Sequence, residues 1–467
     1  MATAPSTTKF DRSIVEGPIG AAVWRLAWPT VLQNIIGGLQ GVVDHAMVGH
    51  YVGFAGNAAV GVSFQIFLVV MVFISSLFTG MGVLVARYTG AGDGKAVQHA
   101  ASQAFLMAVV LSVGVLAPIG WALAPTLLGL VNATEAVRTE ALPYLRIMFV
   151  CSLPMMLFFM LGGALRSAGD ARTPLKLGVA LTVLNLLLNP ILIRGLGPIP
   201  AFGTAGAAMG TVTAGAIVSL FATSQLFTGR WVIDFRGVRW APDWEVIRAL
   251  FRFGLPAGLQ GIAMNVAGVL LLRFIGSLAE SAEAQAAFAI GYTELFSLVT
   301  WTSVGLMGAA AAVAGQNLGA GHPERSERAV RVAAQYGFSI AVVVGAMFLA
   351  IPTVLLGVFG VEEPAVQRLG AQLLAFLAVS GLFITVALTF TGGLQGTGDT
   401  RSPLYISLVS QFALPIGSLA VIQSMRPLQP TDVWTVIVLG HALRCVLSVW
   451  RFRQGKWRTI ALGVGAA

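Results

Sequence analysis

The chain has 467 residues, of which 57% are hydrophobic and only 10% charged, where an ordinary soluble domain is about 25% charged. That balance excludes a soluble globule. The net charge of +9 does not call for a nucleic-acid partner, because a polytopic membrane protein collects Lys and Arg in the loops that stay inside the cell.

Apolar runs near the roughly 20 residues that a helix needs to cross the hydrocarbon core recur along the chain. Twelve spans are predicted, at 24–48, 57–86, 97–124, 137–165, 174–195, 203–228, 249–275, 284–314, 327–352, 365–391, 403–424 and 430–450. Roughly 22 of the 28 Lys and Arg lie at the N-terminus, after spans 2, 4, 6, 8 and 10, or near the C-terminal end, so both termini are expected in the cytoplasm. The exceptions are Arg138, Arg146, Arg194, Arg273, Arg368 and Arg426. The polar stretch Met1–Pro18 lacks an apolar region with a small-residue cleavage site, so the first span is expected to serve as the insertion signal. Cys151 and Cys445 fall inside spans and are expected as small buried packing residues outside any disulfide.

Span 1 carries the most expensive residue. Its segment Gly37–Gly49 reads GGLQGVVDHAMVG, and an Asp at the centre of a lipid-embedded helix costs roughly 2.5 to 3.5 kcal/mol, so such residues face a cavity or a partner and mark transport paths. Asp44 lies roughly 8 Å below the outer end of its span at 1.5 Å per residue. His45 must point about 100° away from it and is expected to pack. Span 5 reads VLNLLLNPILI, which sets Asn185 and Asn189 on one helical face. Thr211 of span 6 lies at a similar depth, roughly 12 Å in. A carboxylate, two amides and a hydroxyl can ligate a small cation such as Na+ or form a network that takes up a proton.

In the second half only Glu294, in span 8, is an acid well inside the apolar region, roughly 15 Å from the outside. Gln33, Gln65, Gln260, Asn265 and Gln411 are further polar candidates for lining a cavity. Phe64, Phe67, Tyr292 and Trp301 could add apolar walls and cation–π contacts.

The loops reveal a repeat. GGALRSAGDARTPL after span 4 is matched by TGGLQGTGDTRSPL after span 10, with Gly169, Asp170, Arg172 and Pro174 recurring 229 residues later as Gly398, Asp399, Arg401 and Pro403. The GAG triplets after spans 2 and 8 keep the same offset, and Pro29, Gln33 and Gly41 recur as Pro256, Gln260 and Gly268 at an offset of 227. Asp44 has no such counterpart: Leu271 stands there. Two halves of six spans each enter from the same side and should be related by an axis along the membrane normal. The expected division is a cytoplasmic N-terminal segment at 1–23, an N-lobe at 24–228, an interfacial linker at 229–248, a C-lobe at 249–450 and a cytoplasmic tail at 451–467. In the linker region, Trp231, Trp240 and Trp244 interleaved with arginines suit the headgroup level.

Pro29 and Pro256 permit either a bend or a tolerated first turn. Asp170 and Asp399 can cap the helices that follow them, while Arg172 and Arg401 could pair with carboxylates or lipid phosphates. The chain has no phosphate-binding loop, HExxH motif or nucleophile elbow, which argues against ATP-driven transport and against a polytopic membrane enzyme. No cofactor is expected.

LAWPTVLQ and VVDHAMVG in span 1, the GAGD loop, LRSAGDARTP, LNLLLNPILI and GQNLGAG together resemble the multidrug and toxic compound extrusion transporters over nearly the whole chain. The LNLLLNP pattern and the lone Asp of span 1 look more like the DNA-damage-inducible F branch than the sodium-type NorM branch. The resemblance implies an all-α fold of two six-helix bundles that exports organic, often cationic and lipophilic, compounds in exchange for H+ or Na+. It matches Asp44 to the coupling aspartate, Asn185 and Thr211 to its polar partners, and Glu294 to an acid often found in span 8. Asn189 departs, since many relatives have Asp before that proline, and Met264 and Asn265 stand where NorM-type members carry an acid in span 7. Without the second carboxylate, the proton is preferred to sodium. A lipid-linked oligosaccharide flippase of the same wider superfamily is the alternative, and an ion channel is disfavoured because no repeated filter sequence appears. The expected setting is the inner membrane, with small-molecule substrates, the lipid bilayer as environment and a monomeric chain.

Overall fold

The computed structural model describes residues 10–131 and 133–463. The first nine residues of the predicted N-terminal segment and the last four of the predicted tail lie outside the described residues. Ten helices in the described part are long and apolar enough to cross a membrane: α2 (Ala55–Ala91), α3 (Gly94–Leu130), α5 (Arg172–Arg194), α6 (Gly203–Leu226), α7 (Trp244–Ile275), α8 (Ser281–Gly319), α9 (Pro323–Ala350), α10 (Pro364–Thr397), α11 (Arg401–Met425) and α12 (Pro430–Arg453). The eleventh, α4, is the pair Glu135–Val150 and Leu153–Ser167, bent by 52°. The twelfth, α1 (Ile19–Tyr51), has 33 residues. At about 1.5 Å per residue it is ample to cross, but Gln33, Asn34, Gln40, Asp44 and His45 dilute its apolar character. Among the described residues the one pairing of extended type is an isolated bridge between Leu196 and Ile199.

The helices overrun the predicted spans, because polar and charged end residues leave the hydrocarbon while their backbone still satisfies itself within the helix. α7 thus begins at Trp244 and absorbs the end of the predicted linker. Pro29 and Pro256 are interior to α1 and α7, which rules out the first-turn explanation for both. The expectation of two buried cysteines is corrected at Cys151, which is exposed. It caps the first half of α4 at the bend, where the chain restarts at Leu153 with a proline in the first turn. Cys445 is half-buried.

The repeated loops keep their geometry. Gly169 and Gly398 adopt φ of 100° and 102°, a left-handed conformation that costs glycine least. The following aspartates cap: Asp170 accepts from the backbone N–H of Arg172 and Thr173, and Asp399 from that of Ser402. The arginine that pairs with Asp399 is Arg451, at 2.7 Å, on α12.

The chain forms two compact units. One is built on Leu32–Gly258; the other joins Arg12–Val31 to Leu259–Ala461. Each boundary falls within a long helix, two residues after Pro29 in α1 and two after Pro256 in α7. In the first unit α2 meets the start of α7 so closely that a methyl on Gly80 would lie 2.2 Å from the Leu250 carbonyl oxygen. In the second, Asn317 donates to the carbonyl of Ile14 and Arg325 to that of Gly17, tying the chain's early residues to α8 and α9. The core of the second unit is α10, buried along most of its length and approached by α8 at Gly392 and Gly396; small residues let membrane helices come this close. α7 has 17% of its most apolar stretch buried, against 61% in α10.

Candidate coupling site

In the first unit four polar side chains from α1, α5 and α6 meet. The amide nitrogen Nδ2 of Asn189 donates to Asp44 Oδ1 at 2.8 Å and to Asn185 Oδ1 at 3.1 Å. Asn185 Nδ2 in turn donates to Thr211 Oγ1 at 3.0 Å, and that hydroxyl donates to the Ala207 carbonyl at 3.0 Å. Asn185 and Asn189 are fully buried, and their spacing of four sets them one turn apart on one face of α5. Both N–H bonds of Asn189 are spent, one of them on the acid. Its oxygen Oδ1 is sealed without a partner among the described residues and packs on Gly210, where a methyl would sit 2.0 Å away. Glycine is what allows α6 to approach the amide.

Sequence reasoning missed three neighbours. Gln40 is one turn before Asp44 on α1 and within hydrogen-bonding reach of it; its Oε1 accepts from Thr182 Oγ1 at 2.7 Å. Tyr144 of α4, 5% exposed, lies within electrostatic reach of Asp44. Their signal was positional, because Gln40 precedes Asp44 by four residues and Thr182 precedes Asn185 by three, which puts each pair on a shared face. His45 does turn away, with Nδ1 at 2.9 Å from Asn57 Oδ1.

The other predicted positions do not join this run. Gln33 accepts from Arg166 Nη1 at 3.2 Å. Gln65 is exposed and Phe64 is 43% exposed. Phe67 is a core residue set edge-on against Phe149, which corrects its expected place on a cavity wall. In the second unit Gln260 is buried, donating to Ser407 at 2.8 Å and accepting from Gln395 at 3.4 Å, so it glues helices together and is withdrawn from a cavity-lining position. Asn265 is spent on its own helix, at the Gly261 carbonyl, and Gln411 donates to the neighbouring carbonyl of Ser410. Tyr292 stacks on Phe288 at 4.8 Å, while Trp301 and Glu294 are half-buried. Glu294 belongs to a π-helical segment, Ala289–Leu295, a distortion frequent at functional sites.

The site therefore offers one carboxylate facing an amide donor, inside a helical unit. A proton can be taken up on Asp44 while Asn189 continues to donate to the other carboxyl oxygen. Among the described residues no three His, Cys, Asp or Glu side chains come together as a metal site.

Residues 29–191 and 256–417 match the sequence signature of the MatE family. The chain is 26% identical over 439 residues to "Probable multidrug resistance protein NorM" of Thermotoga maritima, covering 94% of this chain and 93% of that protein. It is 29% identical over 445 residues to the protein of the same name in Deinococcus radiodurans, covering 92% and 94%. A solved outward-facing multidrug resistance MATE family transporter of the MOP superfamily is similar in fold, with a TM-score of 0.88 over 98% of this chain and 100% of that one at 23% identity.

Proposed function

The chain belongs to the MatE family, and from that premise we propose that it is a secondary active multidrug efflux antiporter, exporting organic cationic or lipophilic compounds in exchange for H+. The observation that carries this reading is the hydrogen-bonded run from Asp44 through Asn189 and Asn185 to Thr211. A membrane protein that spends so much on one acid uses it. The preference for H+ over Na+ rests on the donor facing the carboxylate: where sodium would want a second oxygen, Asn189 presents an N–H, and its own oxygen is turned to Gly210. Protonation of Asp44 removes the charge that the Asn189 and Gln40 side chains stabilise, loosening the hold of α1 on α5. Alternating access then follows from a two-state α1 whose equilibrium the proton biases. The setting is the inner membrane with both termini inside, as a monomer, and the absence of the second acid at Asn189 keeps the assignment to the DNA-damage-inducible F branch part of this proposal.

The test is uptake of a fluorescent organic cation into inverted vesicles, with the proton and sodium gradients collapsed separately. Uptake should vanish with the proton gradient, persist without sodium, and fall at least about tenfold in Asp44→Asn, which corresponds to about 1.4 kcal/mol or more of lost coupling. Wild-type rates in Asp44→Asn would remove Asp44 from the mechanism.

A further inference from the structure

The second unit contains a buried cation that efflux coupling at Asp44 does not use. On α12, His441, Arg444 and Ser448 lie within about 60° of one another around the axis, at 100° per residue, and are 3%, 5% and 0% exposed. Arg444 is about 14 Å from the nearer end of its helix, well inside the apolar region. Arg444 Nε, His441 Nδ1 and Ser448 Oγ, together with Ser380 Oγ on α10, are sealed and without a hydrogen-bond partner among the described residues. Tyr292 brings its phenol within electrostatic reach of Arg444 from α8. A stack of rings holds this face in place: Trp434 on Phe288, Phe288 on Tyr292, Tyr292 beside Phe296, and Phe296 on His441 at 6.1 Å.

Four acids of the second unit are paired elsewhere. Glu280 pairs with Arg368, Asp399 with Arg451, Asp432 with Arg426 and Glu327 with Arg458. Glu294 is two residues from Tyr292, roughly half a turn around the helix, and so projects away from the face that Tyr292 turns to Arg444. An ionised guanidinium in an apolar interior is costly unless paired, and the groups around it can all donate: guanidinium, imidazole, hydroxyl and phenol. A set of donors around a fixed positive charge recognises an anion.

We propose that the second unit binds a small monoanion, a halide or the carboxylate group of a transported compound, on Arg444, with His441 and Tyr292 completing its donors. The first unit then handles a cation and the second an anion. The site is independent of proton coupling at Asp44, and only its carboxylate source draws on the transport reading.

Equilibrium binding of 36Cl− and of 14C-benzoate to the full chain in nanodiscs of neutral lipid, with gluconate as the other anion, tests this without transport. Saturable binding of about one anion per chain is expected, weakened at least tenfold in Arg444→Gln, less in Arg444→Lys, and unchanged in Arg426→Gln, whose arginine is exposed. Chloride without benzoate identifies a resident ion; benzoate displaced by chloride identifies recognition of a carboxylate. No saturable binding of either probe to the wild-type chain, which leaves water as the partner of these donors, overturns the proposal, as does undiminished binding in Arg444→Gln. Should Arg444→Gln fail to fold, Tyr292→Phe and His441→Phe take its place, with a loss of threefold or more expected and unchanged binding in both counting against the site.

Discussion

Helices α6 and α12 are both 24 residues long, Gly203–Leu226 and Pro430–Arg453, and start 227 residues apart. Counted from those starts, Thr211, which closes the Asp44 run, stands level with Val438, and Arg444 with Ile217. The duplicated halves therefore agree where the backbone turns and disagree where charge is buried. Gly169 and Gly398, or Gly92 and Gly321, share left-handed φ values because both halves must end a helix there and only glycine does so cheaply. A buried charge has no such obligation to repeat. It persists where neighbours satisfy it, and α5 supplies amides in one half while the aromatic stack frames Arg444 in the other.

The strongest way to break this comparison is to move the acid. In Asp44→Asn combined with Leu271→Asp, gradient-driven efflux should stay at background, because Leu271 packs against an apolar core that offers no amide partners; recovery of transport in vesicles would show that the halves are chemically interchangeable. Next in size, Asn189→Leu should lower proton-driven efflux at least about tenfold, the equivalent of about 1.4 kcal/mol, in chains that still elute as a single species. Asn189→Asp should instead add sodium dependence, read as uptake under a sodium gradient alone.

Two glycines sharpen the distinction between site and scaffold. A methyl on Gly210 meets Asn189 Oδ1 at 2.0 Å, and one on Gly396 meets the Ala311 carbonyl oxygen at 2.1 Å. Each alanine variant should cost about 1 to 3 kcal/mol by overpacking. Thermal unfolding in detergent should report both losses, whereas ion coupling should change only in Gly210→Ala.

The smallest effect belongs to the loop before α7, where His99 Nε2 lies 2.8 Å from Asp243 Oδ2. The hydrogen bond from His99 holds the Asp243 carboxyl below its ordinary range. A depressed value in the folded chain means stability that is present above the unfolded range, near pH 4, and lost as pH falls through the folded value. The pair is about one-third exposed, so Asp243→Asn should cost less than about 1 kcal/mol at neutral pH, with the difference from wild type in Tm fading in acid.

Much of this was legible beforehand for physical reasons. Twelve apolar runs read as helices because lipid forces backbone groups to pair within a segment, and Asn185 and Asn189 fell on one face because a spacing of four is nearly one turn. Arg444 was hidden by its neighbourhood: close to Arg451 and Arg453 it reads as one more inside charge, and only packing reveals that it is buried. The bend in α4 was invisible because hydropathy does not register direction, and Tyr144 is visible only once Asp44 has a position in space.

The interleaving of the two units through α1 and α7 bears on how the chain is made. Residues 12–31 are made long before the rest of their unit, Leu259–Ala461, while the stretch Leu32–Gly258 waits for the opening turns of α7. A gene cut in the linker would give two fragments that each lack a strip of their own core, so separately synthesised halves should be degraded singly and accumulate when produced together. Duplication fixed the sequence as two halves; biogenesis has to treat it as one.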